Sequence, residues 1–439
     1  MRWSEGEWHG WGRALRAHGR LARPEKRADL AAILHDMPCP AIGNARSYGD
    51  ACLNGDGAAI RMTRLDRVSD FDPETGELTA EAGVTLGALL RLFAPRGWMP
   101  PVLPGTGAVT LGGAIANDVH GKNHHGAGSF GQHVTWLRLL GADGVAREVR
   151  PGSDLFRATV GGLGQTGVIL DVGLRLAPCP GQAVQVRESR IAGLDTFLDR
   201  LGESRATYCV GWIDATARGA GLGRGILEEA EIAAGAPPPV SPRAPATVPF
   251  DAPGALLSAP VVRAFNAAYL SRVPADGRDR QRALPEFFFP LDRISAWNRL
   301  YGRRGFHQFQ CVLPHGSDAR LRELLEDVAA SKLASPLAVL KRLGDGRAGD
   351  LSFPMAGWTL ALDLRNRPEA AELIDRLEAR VVASGGRVYL AKDALAAPER
   401  VARMYPALSQ WADAVRQADP DGVFATDLVR RLRLREASE

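Results

Sequence analysis

LPGTGAVTLGGAIANDVHGKNHHGAGSFGQHV, residues 103–134, is the most informative segment of the chain. Its first half is rich in glycine, and its second half holds four of the chain's nine histidines and one of its five lysines. Glycine lets backbone amides approach an anion closely, so the first half predicts a phosphate-binding loop. The histidine-rich half fits a metal site, a solvated basic loop or the rim of an active site. The sequence shows no set of further ligands, so no metal is expected.

Composition narrows the class of protein. A chain of 439 residues exceeds what one hydrophobic core usually supports, so two domains are expected. The net charge of +4 does not predict nucleic-acid binding. The five scattered cysteines predict neither a disulfide framework nor a zinc site and favour a reducing compartment. No apolar run approaches the roughly 18 residues of a membrane span, and no secretory signal is evident, so a cytoplasmic location is expected.

The order of elements along the chain predicts an α+β fold. Residues 1–35 have a helical pattern, and strands and tight turns follow, with a turn at 73–76 and a hairpin turn at 142–144. Beyond residue 181, strands alternate with helices without the regular period of a doubly wound sheet. Residues 236–260 are rich in proline and alanine, which predicts a mobile loop or lid within this second region.

Two further segments are rich in glycine. GNARSYGD, residues 43–50, predicts a second anion-binding loop. GGLGQTG, residues 161–167, contains the G-x-G-x-x-G spacing of dinucleotide-binding proteins. That fingerprint requires a helix after the glycines, whereas VILDVGLRL, residues 168–176, alternates like a strand. We therefore interpret residues 161–167 as a tight turn that leads into a strand, in preference to an NAD site.

Several segments together resemble a known family. They are GNARSYGDACLNGDG (43–57), residues 103–134, LFRATVGGLGQTGVI (155–169), FPLDRISAWNRLYG (289–302), LSFPMAGW (351–358) and GGRVYLAKD (385–393). In this order they are similar to the vanillyl-alcohol-oxidase-type (PCMH-type) FAD-linked oxidases. Within that family, they are most like the oxidase subunits of decaprenylphosphoryl-β-D-ribose 2′-epimerases.

The resemblance implies a fold and a reaction. Residues 1–180 would form an FAD-binding domain that residues 389–439 complete, with an antiparallel-sheet substrate domain, residues 181–388, inserted between them. The implied reaction removes a hydride from the 2′-carbon of a polyprenyl-phosphoryl-β-D-ribose, and FAD accepts it, which leaves a 2-keto sugar. A separate NADH-dependent short-chain reductase would return the hydrogen. Contact with the inner face of the plasma membrane is expected to be peripheral at most.

The resemblance also implies roles for individual residues. Lys392, His120 and Tyr48 are the expected catalytic residues, with Lys392 first and His120 second as the group that binds and polarises the reacting hydroxyl. The expected cofactor-binding residues are Gly43, Asn44, Ala45, Arg46, Ser47, Tyr48, Gly49, Asp50, Gly105, Thr110, Leu111, Gly112, Gly113, Asn117, Asp118, Val119, His120, Ile169 and Tyr389. The expected substrate-binding residues are Lys122, Gln308, Gln310, Lys341, Trp212 and Lys392. Core packing is an equally good account of Trp212, and His124, His125 and His133 are expected to be structural or on the surface.

The chain also departs from its relatives. Arg46 stands where members with covalent flavin carry histidine, so FAD is expected to be bound non-covalently. Ala361, Thr359 and the pair Phe288–Phe289 stand where mycobacterial members have other side chains, which leaves the exact sugar and lipid open. Two alternatives also stay open: a sugar-1,4-lactone or polyol oxidase of the same family, and a flavin-binding partner subunit without its own turnover.

Overall fold

A computed structural model describes residues 3–237 and 246–437. The strands of the first region are β1 (Trp3–His9), β2 (Arg16–Ala22), β3 (Ala41–Ile42), β4 (Gly57–Arg61), β5 (Val68–Phe71), β6 (Glu77–Glu81), β7 (Trp98–Met99), β8 (Val134–Leu140), β9 (Ala146–Val149), β10 (Val168–Arg175) and β11 (Ala177–Pro178). The helices of this region are α1 (Ala28–Asp36), α2 (Leu86–Phe93), α3 (Leu111–Ala116), α4 (His124–Ala127) and α5 (Asp154–Thr159).

Two main sheets organise this region. The first has the order β1-β2-β4-β3, and its β2–β4 and β3–β4 pairs are parallel. The second has the order β5-β6-β10-β8-β9 and is antiparallel. Its central strand β10 is buried on both faces up to Leu174, which explains its almost continuous apolar sequence. The short strands β7 and β11 pair with each other.

The second region contains β12 (Ala183–Ile191), β13 (Tyr208–Ile213), β14 (Gly225–Ala233), β15 (Ala246–Thr247), β16 (Arg278–Ala283), β17 (Ile294–Ser295), β18 (Phe306–Pro314), β19 (Ala334–Leu343), β20 (Gly357–Arg365) and β21 (Arg387–Val388). The remaining helices are α6 (Leu194–Glu203), α7 (Ala259–Ser271), α8 (Leu284–Phe288), α9 (Asp318–Ser331), α10 (Pro368–Ala383), α11 (Pro398–Met404), α12 (Leu408–Ala418) and α13 (Asp427–Arg431).

An eight-stranded antiparallel sheet, in the order β16-β12-β14-β13-β19-β20-β18-β21, forms the body of the second region. Side chains alternate between its two faces. On β18, Phe309, Cys311 and Leu313 enter the apolar core that also contains residues of α9 and α10. Gln308 and Gln310 are therefore directed to the opposite face. This alternation supplies one wall of the site described below.

The C-terminal helices pack against the first region. Trp411 on α12 is fully buried, and its indole donates a hydrogen bond to the carbonyl of Ala158 at 3.1 Å. Phe424 shares a core with residues of α1 and β4. Arg431 on α13 forms an ion pair with Asp50 at 2.7 Å. The C-terminal residues thus hold the loop at 43–50 in place, although the exact domain boundaries after residues 180 and 388 stay predictions.

Most of the expected elements are present. Strands β5 and β6 flank the turn at 73–76, and β8 and β9 form the expected hairpin. Residues 161–167 form a turn that leads into β10, as predicted. The helix expected over residues 1–35 was wrong for most of its length. Residues 3–22 form the β1–β2 hairpin, in which Trp8 pairs with Ala17 and both side chains are buried, and only α1 is helical.

The proline-rich segment predicted at 236–260 is described only in part, because residues 238–245 lie outside the described residues. Beyond them, β15 pairs in parallel with β17. Arg299 donates hydrogen bonds to the carbonyls of Val248 and Pro249, and Arg13 forms an ion pair with Asp251 at 2.5 Å. These contacts attach residues 246–251 to both regions of the chain.

Candidate active site

A large cavity lies where the two regions meet, and most of the expected site residues line it. The first region contributes residues 41–48, parts of residues 103–122, and Ile169, while the sheet contributes β18, β19 and β20. Tyr389 and Lys392 follow directly after β21 and complete the wall. The cavity therefore depends on three distant parts of the sequence.

The loop at 43–48 has the features of an anion-binding nest. Ala45 adopts a left-handed conformation, with φ 49°. No acceptor within residues 3–237 and 246–437 binds the backbone amides of residues 44–47. Consecutive free amides around a left-handed residue form a concave cluster of positive partial charge. The Tyr48 amide, in contrast, donates to the Ala391 carbonyl at 3.1 Å, which fixes the end of the loop.

Three strands present alternate residues to the cavity. Gln308 and Gln310 on β18 lie opposite Asp363 and Ala361 on β20. Lys341 on β19 lies opposite Thr359, and Val339 lies opposite Ala361. Apart from Asp363, which is buried behind Gln308, all these residues line the cavity. Sheet register thus brings together polar groups that are far apart in sequence.

His120 is held between two polar side chains. Its Nε2 lies 2.9 Å from Gln310 Nε2, and its Nδ1 lies 3.1 Å from Lys341 Nζ. The tautomer of the imidazole ring determines which ring nitrogen donates a hydrogen bond and which one accepts, and hence which end of the Gln310 amide faces the ring. Burial, together with the nearby charge of Lys341, lowers the pKa of His120 well below its ordinary value. The imidazole is therefore neutral near pH 7 and keeps one nitrogen as a proton acceptor.

Lys392 lies in the cavity wall, and Asp363, buried behind the wall, forms a second polar group with it. The Lys392 ammonium lies 3.6 Å from the centroid of the Tyr48 ring, a cation–π contact. Asp363 accepts hydrogen bonds from Gln308 at 2.6 Å and from the Tyr301 hydroxyl at 3.2 Å. Burial lowers the pKa of Lys392 to about 7 although the charge of Asp363 opposes this, and burial raises the pKa of Asp363 to about 7. Both groups therefore change charge close to neutral pH.

The remaining lysines of the cavity are also perturbed. Burial and the charge of Lys122 lower the pKa of Lys341 to about 7. Burial lowers the pKa of Lys122 itself to about 8. Lys122 donates to the Phe287 carbonyl at 2.5 Å and lies 3.8 Å from the centroid of the Phe287 ring. Within residues 3–237 and 246–437, none of Lys122, Lys341 and Lys392 forms a close ion pair with a carboxylate.

The other histidines of residues 120–133 have separate structural partners. His124 accepts a hydrogen bond from the Gly344 amide at 3.1 Å. His125 and His133 each contact a backbone carbonyl at 2.9 Å, that of Ala206 and that of Ala127. In the described part of the chain, no group of three His, Cys, Asp or Glu side chains could hold a metal ion.

A few expected residues lie outside the cavity wall. Asp50 is paired with Arg431, and Gly49 packs against the Asp393 carbonyl. Asp118 is buried and accepts from the Gly131 amide at 2.8 Å, which shapes the loop behind the cavity. Leu111 is a core residue. Trp212 donates its indole N–H to the Pro336 carbonyl and packs on Tyr269, so the structure does not bring it to the cavity.

Other cavity residues were not expected. Leu163, Gly164 and Gly167 of the turn at 161–167 line the cavity. Gly164 has φ 76°, and no atom lies within 4 Å of the position that a Cβ would occupy. Asp363 was also missed. The strict alternation of Thr359, Ala361 and Asp363 on one strand is the signal that could have found it.

Comparison with known proteins decides the family. A family model described as an FAD binding domain matches residues 19–150. Decaprenylphosphoryl-β-D-ribose oxidase of Mycolicibacterium smegmatis is 38% identical over 410 residues, which cover 90% of this chain and 89% of the relative. This chain belongs to the decaprenylphosphoryl-β-D-ribose oxidase family of FAD-linked oxidases.

More distant relatives match only part of the chain. L-gulono-1,4-lactone dehydrogenase of Mycobacterium tuberculosis is 32% identical over 178 residues, or 39% of this chain and 41% of that protein. L-gulonolactone oxidase of Mus musculus is 35% identical over 142 residues, or 31% of each chain. Together the comparisons confirm the predicted family, the α+β FAD-linked oxidase fold and an FAD-dependent oxidoreductase activity.

The residues of the cavity fit FAD. The free amides of residues 44–47 provide donors for a pyrophosphate, and Gly164 leaves open space in the wall. Arg46 Nε and Asn117 Oδ1 are buried polar atoms without a hydrogen-bond partner in the described part of the chain, and both residues line the cavity. Buried polar atoms are rarely left unpaired, so these two atoms indicate a polar ligand. When bound, FAD supplies the two-electron acceptor for hydride removed from an alcohol carbon.

The structure also shows whether any described helix could span a membrane. Among the helices within residues 3–237 and 246–437, none is both long enough and apolar enough to cross a bilayer.

Proposed function

We propose that this protein oxidises the 2′-hydroxyl of a polyprenyl-phosphoryl-β-D-ribose to the 2-keto sugar. The similarity to the Mycolicibacterium oxidase over most of both chains supports this substrate. The observation that carries the proposal is a second cavity of about 530 Å³ beside the first. The two cavities share Arg46, Tyr48, Thr106 and Leu291 in their walls. A lipid phosphate attached to the sugar needs such an additional space, whereas a small lactone does not.

The second cavity has suitable chemistry for a lipid phosphate. Trp11 and Trp297, whose ring centroids are 5.6 Å apart, give it an apolar, aromatic wall. The Arg46 guanidinium lies 4.3 Å from the centroid of the Trp11 ring, and Arg46 forms no ion pair with any residue in the described ranges. A guanidinium without an ion-pair partner offers a positive charge and two parallel N–H donors, which together suit a phosphate group.

The residues of the first cavity divide the work on the alcohol. We assign Lys392 to the hydroxyl oxygen, where its ammonium donates a hydrogen bond and stabilises developing negative charge. We assign the neutral His120 to accept the hydroxyl proton at Nε2, where the substrate hydroxyl takes the place of the Gln310 amide, while Lys341 stays the partner of Nδ1. Tyr48 provides the aromatic surface against which Lys392 is positioned. Lys122, Gln308 and Gln310 are proposed to contact the sugar.

Three further features belong to this proposal. FAD is held non-covalently, because Arg46 stands at the position of the linking histidine. Residues 1–180 and 389–439 form the FAD-binding domain, and residues 181–388 form the substrate domain. The keto sugar is reduced by a separate NADH-dependent short-chain reductase, and the protein acts in the cytoplasm with peripheral contact at the inner face of the plasma membrane.

The test is direct turnover by the purified protein. A polyprenyl-phosphoribose, L-gulono-1,4-lactone and a polyol are each incubated with the enzyme and an artificial electron acceptor, and acceptor reduction is followed. We expect turnover of the ribose lipid, formation of a 2-keto product by mass spectrometry and epimerisation after addition of a short-chain reductase with NADH. Preferred turnover of the lactone would establish the alternative that the lactone-oxidising relatives represent. Turnover of the ribose lipid only when the reductase is present would indicate a dependent subunit.

The mode of flavin attachment is tested separately. Acid precipitation of the yellow protein should leave the flavin in the supernatant, and yellow colour retained in the pellet would contradict non-covalent binding.

A further inference from the structure

The outer face of α7 is unusual for a protein surface. Val261 is 44% exposed and Phe265 is 49% exposed, and their spacing of four residues places them on the same side of the helix. Ala264 and Ala268, also exposed, lie beside them. A helix on a protein surface normally turns charged residues to solvent. The exposed face of α7 is therefore more apolar than is usual for a helix in contact with water.

The apolar surface extends beyond α7. Among the residues that the structure describes, nine large apolar side chains are prominently exposed, and five of them fall within residues 250–294. These five are Phe250, Leu256, Val261, Phe265 and Ile294. Of the 20 residues 252–271, only Arg263 is charged, although charged residues make up 24% of the chain. We call the five side chains the apolar patch.

The patch lies in one layer of the structure. Leu256 belongs to the 3₁₀ turn Gly254–Leu257, which leads directly into α7. Ile294 lies on β17, which pairs with β15 just before Phe250. Phe265 stacks on Tyr269, with ring centroids 5.9 Å apart and planes at 16°, and Tyr269 packs on Trp212. The contact with Tyr269 therefore keeps the Phe265 ring in an exposed position.

The same layer borders the second cavity. Ile294 and Trp297 belong both to this layer and to the wall of that cavity. Leu257, next to Leu256, packs against the aromatic cluster that includes Trp297 and Tyr48. The apolar patch thus continues from the outer surface to the space assigned above to the lipid phosphate.

Three basic side chains lie in or close in sequence to the segments that carry the patch. Arg263, Arg303 and Arg304 are exposed, and none of them forms an ion pair in the described part of the chain. The acidic groups nearby are already engaged: Asp251 with Arg13, and Asp292 with Thr106 and the Gly107 amide. These three arginines, which we call the arginine rim, carry positive charge at the surface, and positive charge complements the negative headgroups of an anionic bilayer.

We propose that the apolar patch and its arginine rim form a docking surface for an anionic lipid bilayer. Val261 and Phe265 insert among the headgroups, and the arginines contact lipid phosphates. Docking in this orientation opens the second cavity toward the membrane, so that a lipid-linked sugar reaches the site without leaving the bilayer entirely. This inference rests on the proposed lipid substrate, but it makes a separate claim about binding.

The experiment measures binding and not turnover. Purified FAD-loaded protein is sedimented with vesicles of phosphatidylglycerol and phosphatidylcholine, and with vesicles of phosphatidylcholine alone. Binding should be stronger to the anionic vesicles and should weaken as salt is raised. The double variant Val261→Ser with Phe265→Ser should bind the anionic vesicles at least roughly tenfold more weakly, because it removes two apolar side chains from the inserted surface.

A matched control tests whether the position matters. Leu92 and Val145 are exposed to a similar extent, 45% and 50%, but lie on α2 and in the β8–β9 turn. The double variant Leu92→Ser with Val145→Ser should bind vesicles like the parent, within about twofold, since these residues lie outside the apolar patch. Equal losses in both double variants, or no loss in either, would overturn the proposal. A parent protein that is dimeric by light scattering, and becomes monomeric only in the Val261/Phe265 variant, would overturn it in favour of a second copy as the partner.

The outcome is separable from that of the proposed function. Activity on a detergent-dispersed, short-chain substrate should be equal in the parent and in both double variants. Vesicle binding by a protein that does not oxidise the ribose lipid would refute the substrate and leave the surface standing. Oxidation of the ribose lipid without vesicle binding would refute the surface alone.

Discussion

The β12–β16 edge of the eight-stranded sheet and the cavity both bury charged side chains, but in the first the charges are paired and in the second they are not. On the sheet, Glu188 is fully buried, and four arginines, at 272, 278, 280 and 282, form ion pairs with it. Burial alone would raise the pKa of Glu188, but the hydrogen bond from Arg278 and the neighbouring arginine charges lower it to about 2. In the cavity, Lys122, Lys341 and Lys392 form no ion pair within the described residues, although the carboxylates of Glu228 and Asp363 act on Lys122 and Lys392 respectively, and the pKa values of all three lysines fall.

The difference distinguishes ion-paired charges, which stabilise the fold, from unpaired charges, which are available to bind a ligand. A paired buried charge keeps its ordinary ionisation and tolerates wide changes in pH. An unpaired buried charge titrates near neutral pH and gains most when an anionic or polar substrate arrives. Substitutions in one region at a time, measured for both catalysis and stability, test this difference.

The largest loss of activity is expected from Lys392→Arg. The charge is kept, but the rigid guanidinium cannot take the place of a compact ammonium above the Tyr48 ring. We expect kcat/KM to fall by about 100-fold or more, with FAD content unchanged. Lys332→Arg, at an exposed position in a left-handed turn, is the matched control and should behave like the parent. A Lys392→Arg enzyme within about threefold of the parent would remove Lys392 from catalysis.

The pH profile of the parent enzyme should show the next largest effect. The ammonium of Lys392 is present below its pKa of about 7 and is lost as pH rises through that value. His120 stays neutral on both sides because its pKa is far lower. We therefore expect kcat/KM for the ribose lipid to decline on the alkaline side, approaching tenfold per pH unit above about pH 7. A profile that instead rises through pH 7 would show that the neutral amine is the active form.

Asp363→Asn should have a smaller effect with a distinctive signature. The negative charge of Asp363 raises the pKa of Lys392, so its removal should move the alkaline limb of the kcat/KM profile to lower pH. We expect a loss of roughly tenfold at pH 7, in keeping with one charged neighbour at a partly screened site. The readout is the position of the limb. A lower rate with an unmoved limb would mean that Asp363 supports only the packing of Gln308.

The smallest effect on catalysis is expected from Glu188→Gln. Here the arginines lose their common partner, and unfolding should become easier by roughly 2–3 kcal/mol, somewhat less than for a fully enclosed pair because the arginines reach solvent. Thermal denaturation would show the lower midpoint, and kcat/KM measured well below that midpoint should match the parent. A change in kcat/KM without loss of stability would contradict the separation of the two regions.

The sequence predicted the residues that line the cavity better than it predicted the apolar patch on the surface. The glycine-rich loops and the polar residues of β18 and β19 were predicted because their motifs resemble those of a known family. Asp363 was missed although it alternates with Thr359 and Ala361 along β20, because its pairing with Gln308 depends on the register of the sheet. The first 22 residues were expected to be helical because their composition suits a helix, whereas pairing with β4 makes a sheet.

The α7 segment shows a different limit. An apolar run such as residues 259–270 ordinarily indicates a helix buried in a core. Nothing in the local sequence states that half of these side chains remain outside, because burial depends on what packs against the helix. Trp212 illustrates the same limit, since its position behind the cavity wall follows from contacts with Pro336 and Tyr269.

The contacts of the C-terminal helices have a consequence for biosynthesis. The loop at 43–50, which we propose to bind the cofactor, is fixed by Arg431, and the cavity wall is completed by Tyr389 and Lys392. A ribosome delivers these residues only after more than 380 others, so the early domain emerges with its ligand site incomplete. Stable binding of FAD should therefore occur only at the end of translation. A premature stop codon near the C-terminus should yield a chain without bound flavin, which is colourless and open to proteolysis.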